Sequence, residues 1–164
     1  MKHPEITRLK ELLNYDPATG SLSWRIKRGK CAVGKIITCQ NGSGYIIVRV
    51  DNVLLRAHRV AWALVNNEWP AGEIDHINGN PSDNRLDNLR IANRLQNMKN
   101  IKKPKTNKSG YKGVSWHKQG KFWQAHIRAD GKNYYLGHYP TVEEAHEAYK
   151  AASNKLHGVF SNHG

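Results

Sequence analysis

The chain has few cysteines, few acids and no long apolar run. Cys31 and Cys39 are the only thiols in 164 residues and form no Cys-x-x-Cys pair, so neither a disulfide framework nor a structural zinc site is expected. Two free thiols in a reducing compartment fit better. Asp and Glu number 13 against 26 Lys and Arg, a formal net charge of +13. That imbalance disfavours basic partners and favours a polyanion. There is no span long enough for a bilayer, no leader pattern and no strongly amphipathic basic helix, so a soluble, cytoplasmic protein without a membrane partner is expected. The length suits one ordinary domain or two small ones, each with a modest core.

What the chain does have is concentrated in one segment: Glu73-Ile74-Asp75-His76-Ile77-Asn78-Gly79-Asn80, then Asn84-Arg85-Leu86-Asp87-Asn88-Leu89-Arg90, then Asn93 to Met98. A β-favouring start at Ile74 runs into a turn-rich stretch in which Asn78-Gly79 can take positive φ. A second short strand is expected over Leu89-Arg90-Ile91. Asn93 is a plausible N-cap for a helix with Leu95, Met98 and Ile101 at apolar spacing. Strand, loop, strand, helix would bring a carboxylate, an imidazole and amides to one small site.

The residue types suit phosphodiester hydrolysis. A hard divalent cation such as Mg²⁺, or Mn²⁺ in its place, takes oxygen ligands and keeps waters, so Asp75 and the Asn97 amide oxygen would suffice with phosphate oxygens. His76, largely neutral at physiological pH, can take a proton from the attacking water. Asn88 has no basic group and is expected to orient His76. An isolated Asp-His dipeptide means little, and Asn-rich loops usually serve turns. Here, though, Asn88 and Asn97 lie thirteen and twenty-two residues after Asp75.

With that spacing, and with Ala57-His58-Arg59-Val60-Ala61-Trp62 upstream, the segment resembles the H-N-N variants of the HNH homing endonucleases, as found in bacteriophages. The resemblance implies a ββα-metal (His-Me finger) core over about 72–100, inside a nuclease domain spanning 1–100. It departs at its last position, which is Asn97 rather than histidine. His58, at the head of an apolar stretch, is read as a packed residue rather than a site residue.

Beyond this the charge rises. Lys102 to Lys132 holds nine Lys or Arg against the single acid Asp130. Residues 101–110 lack apolar periodicity and read as a basic linker that can track phosphates. Trp123-Gln124-Ala125-His126-Ile127-Arg128 then alternates between two faces, with turns at Gln119-Gly120 and Asp130-Gly131, so three antiparallel strands are expected from Tyr111 to Tyr139. Thr141-Val142-Glu143-Glu144 opens a helix that carries Ala145, Ala148, Tyr149, Ala152 and Leu156 on one side and stops at Gly158.

Tyr111-Lys112-Gly113-Val114, Trp123 to Arg128, Tyr135-Leu136-Gly137-His138-Tyr139 and Glu143-Glu144-Ala145 make residues 111–162 similar to the plant Apetala-2/ethylene-response-factor DNA-binding domain. That family lays its sheet in the major groove. The resemblance implies Ser115, His117, His126, Arg128, Asn133 and Tyr135 on the groove-facing side, with Lys112 and Lys121 near phosphates. Ser115 and Asn133 stand where arginine is common, so the plant target sequence does not carry over. His117, His126 and His138 match no common zinc spacing.

Toward the N-terminus, Ile6, Leu9, Leu12 and Leu13 suggest a helix, ended by the turn Asp16 to Gly20. Strands are expected at Leu22–Ile26, Tyr45–Val50 and Val53–Arg56, with Asp51-Asn52 as a hairpin turn. The whole reads as an α+β, two-part enzyme. A homing-type endonuclease would act as a monomer on double-stranded DNA, need Mg²⁺ but no zinc or small-molecule cofactor, and nick one strand by default. The alternative is a DNA-binding regulator with an inactive nuclease core.

Overall fold

A computed structural model describes residues 3–101, 103 and 106–164; Lys102 and Lys105 of the expected linker lie outside them. The chain divides into two compact units, Met1–Ala92 and Asn93–Gly164. Each mixes short helices with small antiparallel sheets.

In the first unit α1 (Ile6–Leu12) runs directly into β1 (Leu13–Asp16), which pairs back with β2 (Ser21–Trp24). Asp16 organises the turn between them by accepting from the Ala18 amide at 3.0 Å and the Thr19 hydroxyl at 2.7 Å. Gly20 ends it at φ +73°, and a Cβ there would stand 2.4 Å from Arg85 N and 2.6 Å from the Asn84 carbonyl carbon. Only glycine lets this turn press against the loop that carries Asn84.

β3 (Ile47–Val50) and β4 (Val53–Arg56) form the second hairpin. Asp51 and Asn52 both adopt left-handed φ, 44° and 65°, as a tight two-residue turn requires and as these residue types tolerate. β4 passes straight into α2 (Ala57–Asn66). Val60 and Ala63 of that helix seal a core with Leu9, Leu12, Leu13, Leu22, Val48, Val50 and Leu55. The third hairpin pairs β5 (Glu73–His76) with β6 (Leu89–Ala92), Asp75 facing Arg90 and His76 facing Leu89. Ile74 and Leu89 pack on Ala61 of α2, so this hairpin is fixed to the main core from behind.

The second unit begins with α3 (Arg94–Lys99). Asn93 caps it reciprocally: its side chain accepts from Gln96 N at 2.9 Å and its amide donates to Gln96 Oε1 at 2.8 Å. Leu95, Met98 and Ile101, expected as an apolar face, are instead exposed. The helix is only six residues long, buries none of them and stops before Ile101.

β7 (Val114–His117), β8 (Phe122–Ala129) and β9 (Lys132–Tyr139) form one antiparallel sheet, with a register shift at Ala125/His126. α4 (Val142–His157) covers one face through Val114, Ala125 and Ala145. Thr141 caps it by accepting from Glu144 N at 3.3 Å, and Gly158 follows its last turn. Its buried stripe is Ala145, Tyr149, Ser153 and His157, with Ala148, Ala152 and Leu156 only half-buried at the side. The polar members of that stripe are satisfied: His157 Nε2 meets Arg128 O at 3.1 Å, and Ser153 Oγ meets Ser161 Oγ at 2.8 Å. Residues 107–110, expected as part of the basic linker, form a hydrogen-bonded loop in which Ser109 Oγ donates to Val114 O at 2.8 Å.

Candidate active site and nucleic-acid interface

Pairing with β6 places Asp75 and His76 side by side on a strand, and α2 closes over them. Both are 5% exposed. Asp75 Oδ2 accepts from Arg90 Nε at 2.8 Å and Nη2 at 2.6 Å, a two-point grip across the hairpin that fixes the carboxylate. His76 Nε2 meets Asn84 Oδ1 at 3.2 Å. With Nε2–H donating to that amide oxygen, Nδ1 is the ring nitrogen that carries the basic lone pair. Burial pushes the His76 pKa down, against the opposing pull of Asn84 and Asp75, so the ring is held neutral.

The amide that meets His76 is therefore Asn84's, and the role expected of Asn88 is corrected. Asn88 Nδ2 donates to Asn78 Oδ1 at 3.1 Å and Asp83 O at 2.8 Å, while its Oδ1 accepts from Asn78 N at 3.0 Å. Both amide hydrogens are thus spent on the loop, which Asn88 staples shut. Asn84 is seated by Tyr15, whose hydroxyl donates to Asn84 O at 2.8 Å, and by the approach of Gly20. Only a turn far upstream shows which asparagine meets His76.

His58 was expected to be a packed residue. It is packed, at 2% exposure, but against the site itself. Its ring stands edge-on to His76 at 4.9 Å and to Tyr45 at 5.4 Å, and Tyr45 lies 5.8 Å from His76. Burial pushes its pKa down to about 3, with His76 and two arginines adding to the effect. A cavity of about 500 Å³ lined by Trp24, Cys31, Ile37, Cys39 and Leu54 includes none of these groups. Both cysteines are free thiols.

The donor set can be tested for a metal. Among the described residues no three His, Cys, Asp or Glu side chains form a ligand cluster. A hard divalent cation that keeps most of its waters fits this donor set, because one carboxylate such as Asp75 is enough to anchor it. Asn97 lies on α3 in the second unit.

The open face of the three-stranded sheet carries Ser115, His117, His126, Arg128, Asn133 and Tyr135, as the alternation predicts. Ser115 pairs with Gln124, His126 with Tyr135 and Arg128 with Asn133. Phe122, Gln124 and His138 share that face: His117 stacks on Phe122 at 4.7 Å and Tyr135 Oη reaches His138 Nδ1 at 3.4 Å. Alternation alone could have nominated those three as well. Lys121 sits exposed in the β7–β8 turn with φ 52°. Lys112 departs from expectation. Its ammonium donates to Asn162 O at 3.0 Å and Lys99 O at 3.2 Å, and burial lowers its pKa to about 8. It ties chain segments together and is not displayed toward a phosphate.

Residues 55–99 match the HNH endonuclease family and residues 109–158 match the AP2 domain. Protein 3.8 of Escherichia phage T7 is 39% identical over 107 residues, which cover 65% of this chain and 88% of that protein. This chain belongs to the HNH endonucleases. As such it is a DNA endonuclease, and its C-terminal part is an AP2 domain. An uncharacterized HNH endonuclease, L560, of Acanthamoeba polyphaga mimivirus is 30% identical over 121 residues, 73% of this chain but 62% of that protein. The AP2-like ethylene-responsive transcription factor AIL7 of Arabidopsis thaliana is 47% identical over 51 residues, 30% of this chain and 10% of that protein. No solved structure matches this endonuclease. The HNH match encloses His58, Asp75, His76, Asn84, Asn88 and Asn97.

Proposed function

We propose that the protein is a homing-type endonuclease that nicks one strand of duplex DNA at a preferred site, as a monomer, with His76 as general base. The observation that carries this reading is the buried His76 ring beside the Asp75 carboxylate, held neutral by its surroundings with Nε2 on the Asn84 amide oxygen. In this reading His76 Nδ1 takes a proton from water as the water oxygen attacks phosphorus, and the bond from phosphorus to the 3′ oxygen breaks. Asp75 supplies the charged ligand for a divalent cation, Mg²⁺ or Mn²⁺. Asn97 supplies an amide oxygen, assigned on its spacing from Asp75 and on the family resemblance. When bound, the cation offsets charge on the phosphate and on the leaving oxygen. Arg90 keeps the Asp75 carboxylate aimed, and Asn88 holds the loop that seats Asn84 beside His76.

The AP2 sheet would deliver the DNA, with Arg128, His126, Asn133 and Tyr135 against base edges, Ser115 and His117 beside them, and Lys121 near a phosphate. A ββα-metal core over about 72–100 is the fold this mechanism asks for. A cytoplasmic site of action in a phage-infected cell follows from the same reading.

The test is supercoiled plasmid carrying the cognate site, incubated with Mg²⁺ or with chelator, for the wild type and His76→Ala. Nicked circles are expected only with the cation, and at a rate ~10²–10⁴-fold lower in the variant, the usual cost of losing a positioned base. Equal rates in both would remove His76 from the role. Binding without any cleavage would favour the regulator.

A further inference from the structure

The first unit holds a second buried histidine whose chemistry nothing above uses. His58 is 2% exposed, and its Nδ1 is buried without a hydrogen-bond partner among the described residues. An unsatisfied buried nitrogen weakens the fold, and a phenylalanine or leucine would fill the same space without that loss. The site therefore carries a polar ring that packing does not require. Its neighbours suggest why. The ring stands at 84° to His76 with centroids 4.9 Å apart, and Tyr45 closes against both rings.

We propose that His58 is a positioning residue for His76, fixing the plane of the base through the edge-to-face contact of the two rings. The inference rests on the general-base reading of His76. Two features make His58 suited to it. Edge-to-face contact restrains rotation of the His76 ring, so Nδ1 keeps its aim while Asn84 holds Nε2. His58 also resists protonation, its pKa being pushed down to about 3, so it does not compete for the proton that His76 must accept.

The test is a double-mutant cycle on the full-length protein, read as single-turnover nicking of plasmid at saturating enzyme with Mg²⁺, alongside DNA affinity without Mg²⁺. His58→Ala is expected to lower the rate about 10- to 100-fold with affinity within about twofold, and His58→Phe, which keeps a ring face, to fall between it and the wild type. In a His76→Ala background, His58→Ala should change the residual rate less than about twofold, because its effect travels through the base. Added imidazole should partly restore His58→Ala. If the two substitutions multiply, or if His58→Phe and His58→Ala both keep the wild-type rate, the proposal fails. Should His58→Ala not fold, as judged by its thermal unfolding, the same cycle with His58→Phe decides. Failure of the underlying reading looks different: His76→Ala alone would then retain the wild-type rate.

Discussion

Asp75, His76, Asn84 and Asn88 of the first unit are all at 7% exposure or less. Ser115, Arg128, Asn133 and Tyr135 of the second are open to solvent. The difference matches two kinds of work. A general base and a carboxylate ligand have to be held in one arrangement, partly dried, before substrate arrives, so their partners are other side chains of the same hairpin and loop. A surface that reads base edges has to leave its donors and acceptors unspent until DNA supplies their partners. The first unit thus builds its functional groups into its packing. The second builds a small core behind a sheet and leaves the other face free.

If that contrast holds, substitutions in the first unit should damage fold and function together, and those on the open sheet should damage function alone. Asp75→Ala is the strongest case. It removes the carboxylate that Arg90 grips, which should cost about 3 kcal/mol of stability in denaturant unfolding, and it should abolish metal-dependent cleavage. Unchanged stability would show that the Asp75–Arg90 contact is incidental. Arg128→Ala is the counterpart. Its unfolding midpoint should stay near that of the wild type, while affinity for the cognate site falls by about 1–3 kcal/mol and sequence preference relaxes. Equal loss on cognate and scrambled duplex would reduce Arg128 to a phosphate contact.

Much of this was legible in the sequence where the signal is local. Asp51-Asn52 announced a tight turn, Asn93 with Gln96 announced a cap, and the alternation around Trp123 sorted the two sheet faces. The strand carrying Asp75 and His76, and its pairing with the strand after Asn88, were legible from the apolar starts and the turn-rich loop between them. The errors fall where a side chain's partner is remote. Asn84 meets His76 because Tyr15 and Gly20 seat its loop, and nothing near Asn84 encodes that. Lys112 reads as a phosphate-facing cation until its ammonium is found on the carbonyls of Lys99 and Asn162. His58 was read as packed and is packed; helical periodicity reports that burial but not which group lies beyond it.

Acid sharpens the comparison. Burial lowers the pKa of His58, to about 3, and of His76, so the folded chain declines protons that the unfolded chain accepts. Their contribution to stability is complete above about pH 6.5 and is lost as pH falls below it, at up to ~1.4 kcal/mol per pH unit for each ring. His146 and His157 of the second unit are lowered too and act with the same sign. His58→Phe should therefore reduce proton uptake on acid unfolding by about one, leaving the remainder to the other rings. Uptake equal to the wild type would mean that His58 is not held neutral. The smallest effect is expected at Lys112, where Lys112→Ala should cost about 1 kcal/mol in stability and leave the salt dependence of DNA binding unchanged. A flatter salt slope would return Lys112 to the phosphates.

The division of labour is tested most directly by measuring two quantities on the same two variants: single-turnover nicking at saturating protein, and binding to cognate against scrambled duplex. His76→Ala should lose nicking ~10²–10⁴-fold and keep its preference for the cognate site, whereas Arg128→Ala should lose that preference and keep its maximal nicking rate. Variants that each lost rate and preference in proportion would contradict the account, since chemistry and recognition would then belong to one site.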